Sequence, residues 1–108
     1  MENLLAKKCI PCSIDTEPLT DIEIESFLRR VDKNWELAED MRIERTFKFK
    51  NFKEALDFTN KIGNLAEEEG HHPSIYLAWG IVRVRIWTNN IKGLHENDFI
   101  LAAKIDSI

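Results

Sequence analysis

Residues 51–73 constrain the fold of this chain more than any other stretch, because they specify a helix together with both of its ends. Asn51 is a residue type that caps helix N-termini through its side chain, and Glu54 stands at the capping-box position. Phe52, Ala55, Leu56, Thr59, Ile62, Gly63 and Ala66 then recur at three-and-four spacing, which predicts an amphipathic helix over 52–69. Gly70 suits the left-handed position that ends a helix, and Pro73 prevents its resumption.

The sequence on either side changes period. Ile43, Arg45, Phe47 and Phe49 alternate with Glu44, Thr46 and Lys48, the pattern of a half-buried strand. Trp35-Glu36-Leu37 fits a short strand before it. Residues 75–88 are rich in β-branched and aromatic types, and Val82, Val84 and Ile86 alternate with Arg83, Arg85 and Trp87, so this region reads as strand with one buried face. Thr20-x-x-Glu23 is a capping box, and Ile24, Phe27, Leu28 and Val31 give a helix over about 20–32. Residues 89–93 read as a loop. A last helix is expected over 95–106, with Asp98 near its positive N-terminus. The order is helix, strands, helix, strands, helix. Strands with a single apolar face need cover on that face only, so the class expected is α+β with helices on one side of an antiparallel sheet.

A chain of 108 residues suggests one domain, and it can bury a core without a metal or disulfide staple. Residues 1–18 read as an extended or poorly ordered arm, and 19–108 as the domain. The net charge of −4 argues against a generic nucleic-acid or membrane-surface binder. No apolar run suffices to span a bilayer and the N-terminus does not read as a secretory signal, so a cytoplasmic protein is expected. Cys9 and Cys12 form a lone C-x-x-C in an arm that also holds Pro11 and Pro18. A structural zinc site needs a second ligand pair, and a redox motif belongs at the start of a helix after a buried strand. Two free thiols are expected.

The chemistry-bearing stretch is Glu67-Glu68-Glu69-Gly70-His71-His72-Pro73. Two imidazoles, which titrate near neutrality, follow a helix end, and Glu67 lies four residues before His71, where a carboxylate can tune the ring. The pattern suits general acid–base chemistry on a small molecule. It equally suits a solvated helix end, and spacing alone does not choose between them. Glu68-x-x-His71 and Glu69-x-x-His72 match part of a di-iron pattern, but the second motif and further glutamates of such sites are missing. Trp35, Trp79 and Trp87 serve either core packing or stacking on a flat substrate.

Taken together, Glu67-x-x-x-His71-His72-Pro73, Trp79, Thr88-Asn89, Gly93-Leu94 and Asp98 resemble the signature of the pterin-4a-carbinolamine dehydratase family. The resemblance extends upstream through Trp35 and Arg45-x-Phe47-x-Phe49-x-x-Phe52, and the Cys9-x-x-Cys12 arm is similar to that of many bacterial members. It implies a four-stranded antiparallel sheet with three helices on one face. The implied reaction is dehydration of 4a-hydroxytetrahydropterin to quinonoid dihydropterin, without metal or organic cofactor, in support of tetrahydropterin recycling for aromatic amino-acid hydroxylases. His71 and His72 are the implied proton-transfer residues, and Glu67 orients them. Trp35, Pro73, Thr88, Asn89 and Asn90 are the implied pterin-binding residues, and a homodimer or homotetramer is the implied assembly. Neither nucleic acid nor membrane is expected as a direct partner.

One position departs from the family pattern. The family usually has Thr-His at the end of the long strand, where this chain has Thr88-Asn89. Asparagine can hold a ligand by hydrogen bonds but cannot titrate. A weakly active or inactive pterin-binding or protein-binding module, acting as a dimerisation or regulatory partner, is the alternative that this residue favours.

Overall fold

The computed structural model describes residues 3–11 and 15–108; Cys12 lies outside the described residues. Its elements are α1 (Asp21–Leu28), β1 (Glu36–Leu37), β2 (Ile43–Lys48), α2 (Phe52–Glu69), β3 (Ser74–Ala78), β4 (Ile81–Ile86) and α3 (Glu96–Ile105). Short 3-10 turns occupy Leu4–Ala6 and Asn89–Ile91. The four strands form one antiparallel sheet in the order β1-β2-β4-β3.

Register explains why one face of the sheet is apolar. Ile43 pairs with Ile86, Arg45 with Val84 and Phe47 with Val82, while Ile75 and Leu77 pair with Val84 and Val82. All these side chains share a face, since strand side chains alternate. α2 packs on β3 and β4, α3 on α2, and α1 on α3. Ile62, Val82, Val84, Ile86, Phe99, Leu101 and Ile105 are fully buried between these layers, and Phe27 of α1 stacks on Phe99 at 5.1 Å. The opposite face carries Glu44, Thr46, Arg83 and Arg85, and there Arg85 pairs with Glu44 and with Asp40.

α2 has the expected bounds. The Asn51 side chain accepts from the Glu54 amide, and Gly70 closes the helix at φ 65. α1 and its capping box form as expected, but the helix stops at Leu28, where the chain passes into turns. The strand-forming region after Pro73 is two strands, folded back at Trp79-Gly80. A Cβ at Gly80 would stand 2.8 Å from the Phe49 carbonyl oxygen, so the tight approach of this turn to β2 requires glycine. His95 is the N-cap of α3, its Nδ1 accepting from the Asn97 amide.

The N-terminal segment, expected as an extended or poorly ordered arm, is docked through residues 3–11. Leu4 and Cys9 are buried in the core cluster. The cause is side-chain capture rather than secondary structure. The Cys9 amide donates to Glu69 Oε1 at 3.0 Å, Lys7 pairs with Glu96 at 2.6 Å, and Lys8 Nζ donates to the Glu68 carbonyl at 3.4 Å.

Candidate active site

A cavity of about 580 Å³ opens where the end of α2, the end of β4, the start of α3 and the N-terminal segment meet. Its lining includes His71, His72, Thr88, Asn89 and Asn90. Gly70 turns the chain sharply off α2, so the two histidines leave the helix axis rather than extend it. Thr88 and Asn89 stand just past β4, held by the Thr88–Gly93 bridge and the 3-10 turn that follows.

The two histidines are held differently. His71 Nε2 donates to Asp98 Oδ1 at 2.6 Å. Asp98 is completely buried, and its other oxygen accepts from Thr88 Oγ1 at 2.9 Å and from the His95 amide at 2.8 Å. A carboxylate only accepts, so the His71 ring carries its proton on Nε2 and leaves Nδ1 as the lone-pair nitrogen when neutral. His72 Nε2 donates instead to Glu67 Oε2 of the last turn of α2. This second pair is open to solvent, with side-chain exposures of 61% and 77%. Glu67 therefore serves His72, not His71, because Gly70 breaks the helical geometry that the four-residue spacing presupposes.

Other residues read from the sequence are placed as follows. Asn89 and Asn90 are exposed at the cavity, and Thr88 is buried beneath it. Pro73 follows His72 directly but is not among the lining residues. Trp35 stands apart from the cavity: it is buried, and its indole N–H donates to both carboxylate oxygens of Asp106 at 2.9 Å. Asp106 also pairs with Arg45 at 2.7 Å; burial pushes its carboxyl above the usual range, against the opposing pull of Trp35 and Arg45. Trp79 is exposed in the β3–β4 turn. Trp87 is the tryptophan at the cavity, with the Arg42 guanidinium 3.8 Å from its ring centroid.

Three site residues, Asn97, Ile10 and Pro11, were given no site role in the sequence, and Asp98 was placed in the signature without its contact to His71. Asp98 looks like a helix-start acid, yet its side chain turns inward to His71. Asn97, beside it and 3% exposed, faces the N-terminal segment. Ile10 and Pro11 complete the lining from that segment. Cys9 lies close by, but burial, then the adjacent Glu69 carboxylate, push its thiol up to about 12. It is no nucleophile at neutral pH. The Glu69 carboxylate is paired with Lys104, and the described residues gather no group of three or more His, Cys, Asp or Glu able to hold a metal.

The sequence model of the family described as pterin 4 alpha carbinolamine dehydratase matches residues 17–108. The chain belongs to that family. Relatives named "Putative pterin-4-alpha-carbinolamine dehydratase" include a protein of Alkaliphilus metalliredigens, 53% identical over 106 residues that cover 98% of this chain and 96% of the relative. Another, from Methylococcus capsulatus, is 51% identical over 107 residues covering 98% and 93%. Among solved structures, a transcriptional coactivator/pterin dehydratase from Brucella melitensis superposes with a TM-score of 0.79 at 33% identity, over 84% of this chain and 97% of that one. A pterin dehydratase-like RuBisCO assembly factor, at 22% identity and a TM-score of 0.59, shares the fold. No described helix is long and apolar enough to cross a membrane.

Proposed function

We propose that this protein dehydrates 4a-hydroxytetrahydropterin to quinonoid dihydropterin by histidine acid–base catalysis. The observation that carries the reading is the convergence of two differently held imidazoles, His71 on buried Asp98 and His72 on exposed Glu67, at one cavity of a chain in this family. The reaction removes a proton from N5 and expels the 4a-hydroxyl as water, so it needs one group to accept a proton and one to give it. Imidazole does both near neutral pH. His71 and His72 are the proposed catalytic residues, oriented by Asp98 and Glu67. Thr88, Asn89 and Asn90 supply polar contacts to the pterin, and Trp87 a face on which a flat ring can stack. The enzyme would act in the cytoplasm as a homo-oligomer, returning pterin to an aromatic amino-acid hydroxylase.

The decisive measurement is 4a-hydroxytetrahydropterin dehydration by wild type and His72→Ala. Equal rates at the uncatalysed level would sink the reading.

Asn89 supports a second reading, a pterin-binding or protein-binding module of low turnover. It occupies the cavity where the family pattern has histidine, and it cannot transfer a proton. Asn89→His separates the two. An enzyme weakened at this position gains turnover, by up to about 10²–10⁴-fold if the third histidine acts as acid or base. A module gains none and keeps its partner affinity.

A further inference from the structure

The wall formed by Ile10 and Pro11 lies ahead of residue 17, where the family match begins. It is nevertheless built into the site. The Asn97 side chain clamps Ile10 as a neighbouring strand would: the Ile10 amide donates to Oδ1 at 3.0 Å, and Nδ2 donates to the Ile10 carbonyl at 2.6 Å. Cys9 adds two ties, its amide to Glu69 Oε1 at 3.0 Å and its thiol to the Asn97 carbonyl at 3.5 Å. These anchors sit on the last turn of α2 and the first turn of α3, the elements that hold His71 and Asp98. Asn97 and Asp98 thus divide one helix start between them, one facing the N-terminal segment and the other the imidazole. Ile10 is a large aliphatic side chain 61% exposed on an otherwise strongly hydrogen-bonding cavity. Its backbone is fixed while its side chain stays uncovered, the arrangement expected of a surface that a ligand completes.

We infer that Ile10 and Pro11 contact the bound pterin and set its affinity, with Asn97 as their positioning residue. The inference rests on the proposed pterin site. A flat bicyclic ring entering between the histidines and Trp87 needs apolar cover as well as polar partners, and within the lining Ile10 and Pro11 are, beside Trp87, the apolar side chains. Truncating the Ile10 side chain removes no proton-transfer group, so the effect falls on binding rather than on chemistry.

The test uses the full chain. Dehydration kinetics and the Kd for 7,8-dihydropterin are measured for wild type, Ile10→Ala, Asn97→Ala and the double variant. Ile10→Ala is a change at an exposed position, so it folds. It is expected to raise KM and Kd together by about three- to tenfold, with kcat moving less than about twofold. Asn97→Ala is expected to raise KM at least as much, and the double variant no further, because both act through one wall. A KM and Kd indifferent to Ile10→Ala, or additive effects in the double variant, would overturn the inference while wild-type turnover stands. A wild type that neither dehydrates the substrate nor binds dihydropterin overturns the pterin reading itself.

Discussion

His71 and Asp98, 27 residues apart in sequence, meet at 2.6 Å, with the carboxylate wholly buried and the imidazole at the cavity wall. Three donors converge on Asp98: an imidazole, a hydroxyl and a backbone amide. Asparagine keeps the shape but offers an amide donor where His71 needs an acceptor, so the ring tautomer inverts. Asp98→Asn is expected to lower kcat by about 10²–10⁴-fold. It should cost about 1–3 kcal/mol of stability as well. Stopped-flow kinetics below the unfolding transition test this; a wild-type kcat would refute the positioning role.

Glu67 stands in a weaker position, because its pair with His72 is solvent-exposed. Exposed ion pairs are worth about 0–1 kcal/mol. Glu67→Gln is accordingly expected to reduce kcat by no more than about fivefold, far less than Asp98→Asn, in the same assay. A larger fall for Glu67→Gln than for Asp98→Asn would refute the smaller role given to Glu67.

Glu69 ties stability to pH. Burial works to raise its carboxyl, but the Cys9 amide and the Lys104 ammonium outweigh that and hold it below its ordinary value of 4.5. A carboxyl lowered in the folded state stabilises fully above its unfolded value, and that contribution fades as pH falls through the folded one. Glu69→Gln should therefore cost about 1–3 kcal/mol at pH 7. The difference should persist at about pH 5.5 and shrink below about 4.5. Urea unfolding of both proteins across that range measures it. A difference that grows toward acid would contradict the assignment.

Trp35 anchors the far end of α3. Its indole donates to Asp106, which also pairs with half-buried Arg45. Trp35→Phe keeps the ring against Phe47 but strands part of that carboxylate, and should lower stability by about 1–3 kcal/mol in chemical denaturation. Unchanged stability would mean that water replaces the indole without penalty.

Legibility in the sequence followed the range of the interactions. α2 was readable to its ends because Asn51, Glu54 and Gly70 act on neighbours a few residues away. The β3–β4 hairpin was read as one region because Trp79-Gly80 is not among the common turn pairs; what demands the glycine is the Phe49 carbonyl, a tertiary neighbour. His71, His72, Thr88 and Asn89, grouped in one signature, line a single cavity together with Asn90, whereas Pro73 and Trp79 of that signature do not. The partners of the histidines were harder. Helical spacing pointed Glu67 at His71, and only the left-handed turn at Gly70 reassigns it to His72. Asp98, Asn97 and the docking of residues 3–11 depend on contacts spanning 27 to 89 positions, which no local pattern encodes.

The left-handed residue at the end of α2 also limits how chains of this kind can change in length. The helix is pinned through Ala55, Ile62 and Ala66, and the histidines begin directly after Gly70. One residue inserted within α2 would swing the pair by about 100° around the axis, away from Asp98. The reversal at 38–42, closed by the Ala38–Arg42 hydrogen bond, carries no such phase. Descendants of this sequence can lengthen that turn one residue at a time, but can lengthen α2 only by whole helical turns.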